Sequence, residues 1–68
     1  MENRICYRCY FMDRRLTIRG VATLVARSDD EASGLASDLL ADRDARAVEV
    51  WEGARRVDFI EQWGNHAA

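Results

Sequence analysis

At 68 residues, 49% hydrophobic and 32% charged, the chain has room for one domain, which buries roughly 60% of its unfolded surface. A single core of that size rarely supplies more than about 3–5 kcal/mol, so self-association would add usefully to stability. No apolar stretch approaches the roughly 20 residues of a membrane span, and MENRICYRCY lacks the apolar segment and cleavage site of a secretory signal. With two cysteines and no signal, the expected setting is a reducing cytoplasm, with no membrane partner.

The net charge is −2, and every basic residue is arginine, a bias that GC-rich coding explains without a functional need. Its distribution is uneven. Residues 1–27 hold six arginines against Glu2 and Asp13, whereas residues 28–68 hold four arginines against ten acids.

In chain order, Ile5 to Met12 is rich in Tyr, Cys, Phe and Ile and predicts a strand. MDRRLT predicts a turn without glycine or proline to set its type. IRGVATLVA, residues 18–26, predicts the second strand of a hairpin, and Gly20 within it points to a bulge or a close backbone approach. SDDE at 28–31 is a capping box, in which Ser28 caps the helix and Glu31 reaches back to the Ser28 amide. Asp29 and Asp30 add negative charge at the positive end of the helix dipole. Ala32, Leu35, Ala36, Leu39 and Leu40 then fall on one apolar stripe of a helix ending near Ala41–Arg43. Gly34 weakens that helix by about 1 kcal/mol relative to alanine. AVEVW at 47–51 alternates as a third strand, EG at 52–53 predicts a tight turn with Gly53 at positive φ, and RRVDFIE at 55–61 predicts the fourth strand. Trp63 to Ala68 is expected to fray.

The expected fold is therefore α+β: a single ββαββ domain over residues 1–62, with a short tail at 63–68. One helix lies on one face of a four-stranded antiparallel sheet, with strand order 2-1-3-4.

Strand alternation sorts the side chains into two faces. The helix side should carry Ile5, Tyr7, Cys9, Phe11, Ile18, Leu24, Ala26, Val48, Val50, Val57 and Phe59, closed by Leu35, Leu39 and Leu40. The outer side should carry Cys6, Arg8, Tyr10, Met12, Val21, Thr23, Val25, Glu49, Trp51, Arg56, Asp58 and Ile60. A wet outer face would be polar. This one mixes charge with Tyr10, Met12, Val21, Val25, Trp51 and Ile60, which suits a protein interface with Arg8, Glu49, Arg56 and Asp58 at its rim. The competing reading is that valines favour strands and are simply exposed.

Chemistry is sparse. Cysteines three apart on a strand, as in ICYRCYF, point to opposite faces, whereas metal and redox C-x-x-C motifs turn both sulfurs to one side. There is no second cysteine pair and the one histidine is His66, so no metal site and no cofactor are expected. Ser28, Ser33 and Ser37 have no neighbouring histidine, Asp58 and Glu61 face opposite ways on a strand, and an enzyme is not expected. Arg4, Arg8, Arg14, Arg15 and Arg19 interleave with Tyr7, Tyr10 and Phe11 in the first hairpin, which leaves single-stranded nucleic-acid binding as the alternative. Against it stand the acidic overall balance and the lack of an RNA-binding signature.

YRCYFMD, ARSDDEA and AVEVWEGARRV together resemble a group of short proteins common in rhizobia and related alphaproteobacteria, with the pattern Y-R-x-Y-F-x-D, A-x-D-D-x-x-A and V-E-x-W-x-G-x-R-x-V. The resemblance spans roughly residues 7–60. It departs at MDRRLTI, where the group has a glycine-containing turn, and at Cys9, where the group has an aliphatic residue. It implies a cytoplasmic bacterial protein and no particular activity. The sequence thus predicts a small module that associates with itself or another protein.

Overall fold

Asp13 shapes the first turn in place of a glycine. In the computed structural model, which describes residues 3–62, β1 (Ile5–Met12) and β2 (Ile18–Ala26) form an antiparallel hairpin. Asp13 Oδ1 accepts the N–H of Arg15 at 2.8 Å and of Thr17 at 3.0 Å, and Oδ2 meets Arg19 Nε at 3.1 Å. The Thr17 amide above all, then the Arg15 amide and the Arg19 guanidinium, holds the Asp13 carboxyl below the usual carboxylate range, against some opposing desolvation. The cost of the tight path falls on Leu16, which sits at φ 62° with its side chain 56% exposed. A left-handed conformation costs a non-glycine residue roughly 1–2 kcal/mol, while glycine loses about 0.5–1 kcal/mol more backbone entropy. Leu16→Gly should therefore raise stability by about 0.5–1 kcal/mol. A lowered urea midpoint would show instead that the leucine side chain packs usefully.

The helix, α1 (Asp29–Ala41), begins where the capping box predicts. Ser28 Oγ accepts the Glu31 amide at 3.1 Å, a bond whose loss typically costs about 1 kcal/mol. Glu31 Oε1 takes the Arg27 amide at 2.6 Å, one residue upstream of the expected Ser28 amide. At the other end the Asp42 N–H closes on the Leu39 and Leu40 carbonyls. The buried line is Ala32, Ala36 and Leu40, with Leu39 half-buried beside it. Leu35, expected in the core, is 38% exposed. At about 100° per residue it lies about 100° round the helix from the middle of that line.

β3 (Ala47–Glu52) and β4 (Arg55–Glu61) form the second hairpin, whose two-residue turn is Gly53–Ala54, one position later than predicted. Gly53 at φ 61° supplies the positive dihedral at the first turn position. The sheet is antiparallel in the order β2-β1-β3-β4, so the α+β architecture and the strand order both follow the prediction. Tyr7, Cys9, Phe11, Ala26, Val48 and Val50 meet Ala32, Ala36 and Leu40 in one core. The tail, with Trp63 and His66, lies outside the described residues.

Two bulges change the parity of what lies beyond them. In β2 the partner of Phe11 is Gly20 but that of Met12 is Ile18, so Arg19 is the extra residue. Ile18, expected on the helix side, stands with Met12 on the outer side and is 50% exposed. In β4, Arg56 faces Trp51 and Asp58 faces Val50, with Val57 inserted between them. Beyond that point Ile60 pairs with Val48 and packs against the core, while Phe59 pairs with Glu49 on the outer side. The expected places of Phe59 and Ile60 are exchanged.

Candidate interaction face

The outer face is built by β1 residues of even number and their cross-strand partners. Cys6, Arg8, Tyr10 and Met12 stand opposite Val25, Thr23, Val21 and Ile18 on β2, and from Arg8 to Met12 opposite Trp51, Glu49 and Ala47 on β3. Arg8 is exposed and Tyr10 half-buried. Met12 is only 5% exposed and its neighbour Ala47 0%, so Met12 offers little surface to a partner, contrary to its expected place at an interface centre. Ile60 drops out as well, since its side chain belongs to the core side.

The polar residues of this face are largely paired within the chain. Glu49 Oε1 accepts the Trp51 indole N–H at 3.0 Å, and Oε2 accepts Arg56 Nη1 at 2.8 Å. The Arg56 guanidinium lies 5.7 Å from the Phe59 ring centroid. Glu49 therefore fixes both Trp51 and Arg56, which lowers the ability of either to reorganise for a partner. Asp58, expected at the rim, leaves this face: beyond the Val57 bulge it stands half-buried opposite core Val50, and its Oδ1 accepts the Phe59 amide at 2.8 Å, a local bond. What remains exposed and apolar is concentrated on β2, where Ile18 is 50%, Val21 54% and Val25 53% exposed.

Cys6 is exposed and Cys9 buried, so the two sulfurs face opposite sides of the sheet. Burial pushes the Cys9 thiol up, away from thiolate chemistry. Among the described residues no group of three His, Cys, Asp or Glu side chains is placed to hold a metal ion. Of the aromatic residues grouped for nucleic-acid stacking, Tyr7 is 1% and Phe11 2% exposed on the core side, while Tyr10 stands half-buried on the outer face.

One cluster went unread in the sequence. Tyr7 O–H donates to Asp29 Oδ1 at 2.9 Å, and Arg55 grips the same carboxylate through Nη1 at 3.0 Å and Nη2 at 3.1 Å. Arg55 Nη2 also reaches Glu52 Oε1 at 2.6 Å. Asp29 does more than meet the helix dipole, because it ties β1, the start of α1 and the second hairpin together. Arg55, then the Tyr7 hydroxyl, lowers its carboxyl pKa, and burial foremost raises that of the Tyr7 phenol. Only the fold brings residues 7, 29 and 55 together, so no local signal could have announced the cluster.

The pH dependence has a definite sign. Asp13 and Asp29 are both depressed in the folded state, so their contribution is present above the unfolded carboxylate pKa of about 4 and fades as pH falls through the lower folded values. The urea midpoint should hold between about pH 7 and 5, fall below about pH 4, and fall less in D13N/D29N. Equal acid sensitivity in that variant would assign the effect to other carboxylates.

No helix among the described residues is long and apolar enough to cross a membrane. No family model matches the chain, and no curated protein and no solved structure matches it.

Proposed function

We propose that the chain is a non-enzymatic association module that pairs with a second copy of itself along the β2 margin of its outer face. The observation that carries this reading is the clustering of Ile18, Val21 and Val25, each at least 50% exposed, on one edge strand. An exposed edge offers unpaired backbone groups to another strand, and proteins commonly blunt it with charge or a bulge. β4, the other edge, carries Arg55, Arg56, Asp58 and Glu61 as well as its bulge. β2 has its bulge at Arg19, and beyond it residues 21–26, VATLVA, run without a charge.

That segment complements itself. An antiparallel two-fold pairing centred on Thr23 sets Val21 against Val25 of the second copy, Ala22 against Leu24 and Thr23 against Thr23, with each pair on a common face. Such pairs of β-branched side chains contribute roughly 0.2–1 kcal/mol each beyond the backbone bonds. The contact is isologous, as a two-fold dimer requires. A second copy therefore fits this edge without further assumption. A cytoplasmic setting suits the two free cysteines.

Light scattering over a dilution series with reductant tests the proposal. A species at twice the chain mass of 7.8 kDa that dissociates on dilution supports it. A monomer throughout overturns it, and a dimer present only without reductant would assign the contact to Cys6. Because Trp51 lies two strands in from the β2 edge and is already bonded to Glu49, Trp51→Arg should change the dimer little. Strong loss in that variant would point to stacking of whole faces.

A further inference from the structure

An open cavity of about 390 Å³ lies between the first turn and the loop that follows α1, lined by Arg14, Arg15, Arg19 and Arg46 together with Asp13 and Asp44. The four arginines come from three separate places in the chain. Arg14 and Arg15 sit in the turn, Arg19 at the β2 bulge, and Arg46 is brought alongside when its N–H donates to the Met12 carbonyl at 2.7 Å. Asp13 is occupied by the Arg15 and Thr17 amides and by Arg19, so that acid and Arg19 balance each other. The guanidiniums of Arg14, Arg15 and Arg46 meet no carboxylate at salt-bridge distance among the described residues. Against them the cavity sets only Asp44, which leaves an excess of two positive charges in one concave site.

Like charges gathered without partners repel one another, and an anion removes that repulsion. Planar guanidinium forks match phosphate oxygens in pairs, which a point charge cannot do. The cavity exceeds what a single phosphate fills, and no aromatic side chain lines it to stack a base. We propose that it binds a compact diphosphate group, of which inorganic pyrophosphate is the simplest form. This site is independent of the β2 edge contact.

Calorimetric titration of the full chain at low ionic strength with pyrophosphate, orthophosphate and ADP tests it. Pyrophosphate should bind saturably, about tenfold or more tighter than orthophosphate, and should weaken as salt rises. ADP should bind no tighter than pyrophosphate; markedly tighter binding would mean that a base is recognised, and would overturn the compact-anion assignment. Arg14→Gln with Arg46→Gln should weaken pyrophosphate about tenfold or more while circular dichroism stays unchanged, since both side chains are exposed. Asp44→Asn should tighten it by about threefold, the effect of removing one like charge some 6 Å away in a solvated site. A gain of that kind cannot come from structural damage. No saturable binding up to about 10 mM, or affinity unchanged in both variants, would overturn the proposal.

Discussion

Phe11→Ala should leave most of the chain unfolded at 25 °C. The ring is 2% exposed and lies in the sheet's middle, opposite Gly20 on β2 and Val48 on β3. The Arg43 guanidinium covers it at 4.1 Å from the centroid, beside the Gly20 backbone, where an added Cβ would lie 3.5 Å from Arg43 Nη1. Removing a buried phenylalanine typically costs about 3–5 kcal/mol, which matches the about 3–5 kcal/mol that a core of this size supplies in all. The variant also strips Arg43 of its aromatic surface. Far-ultraviolet circular dichroism with a urea titration reads the result, and Phe11→Leu gives the control. The leucine variant keeps most of the volume and should lose no more than about 1.5 kcal/mol while retaining a cooperative transition. If Phe11→Ala also unfolds cooperatively with a loss below about 1 kcal/mol, the helix-covered core is not what holds the chain together.

The limits of sequence reading fall where local rules meet tertiary geometry. SDDE announced the helix start because a cap is made by four consecutive residues, and the structure realises it at Ser28 and Glu31. Alternation sorted β1 and β3 correctly because neither contains an extra residue. It failed for Ile18, Asp58, Phe59 and Ile60 because one inserted residue reverses every side chain beyond it. Gly20 hinted at the first bulge; the second, at Val57, has neither glycine nor proline to mark it. Leu35 shows a different limit. An apolar stripe read from spacing is wider than the line of Ala32, Ala36 and Leu40 along which the helix meets the sheet. Arg46 could not be grouped with Arg14, Arg15 and Arg19 from sequence, because strand pairing alone brings them to one cavity. The same holds for Tyr7, Asp29 and Arg55. Charge counts located the basic half of the chain, but its division into separate clusters is a property of the fold.

Charge reversal at two β2 positions should make or break the dimer without touching the monomer. Val21 and Val25 are 54% and 53% exposed, so substituting them should change monomer stability by less than about 1 kcal/mol, within the span of strand propensities. In a pairing centred on Thr23, V21E/V25E sets two carboxylates face to face at each of two symmetry-related positions and removes both valine pairs. Association should weaken by about a hundredfold or more, near 2.7 kcal/mol. V21E/V25R sets opposite charges across the same two positions. Cross-strand ion pairs return roughly 0.2–1 kcal/mol each, so this variant should recover to within about tenfold of the original dimer. The recovery depends on register. A pairing shifted by two residues would not set position 21 against position 25, and face-to-face stacking has no reason to do so. Sedimentation equilibrium with reductant compares the three proteins. Loss in V21E/V25E with recovery in V21E/V25R fixes both the edge and the two-fold centre. Loss in both with intact monomers keeps β2 in the contact and rejects Thr23 as its centre, and an undiminished dimer in V21E/V25E removes β2 from the interface.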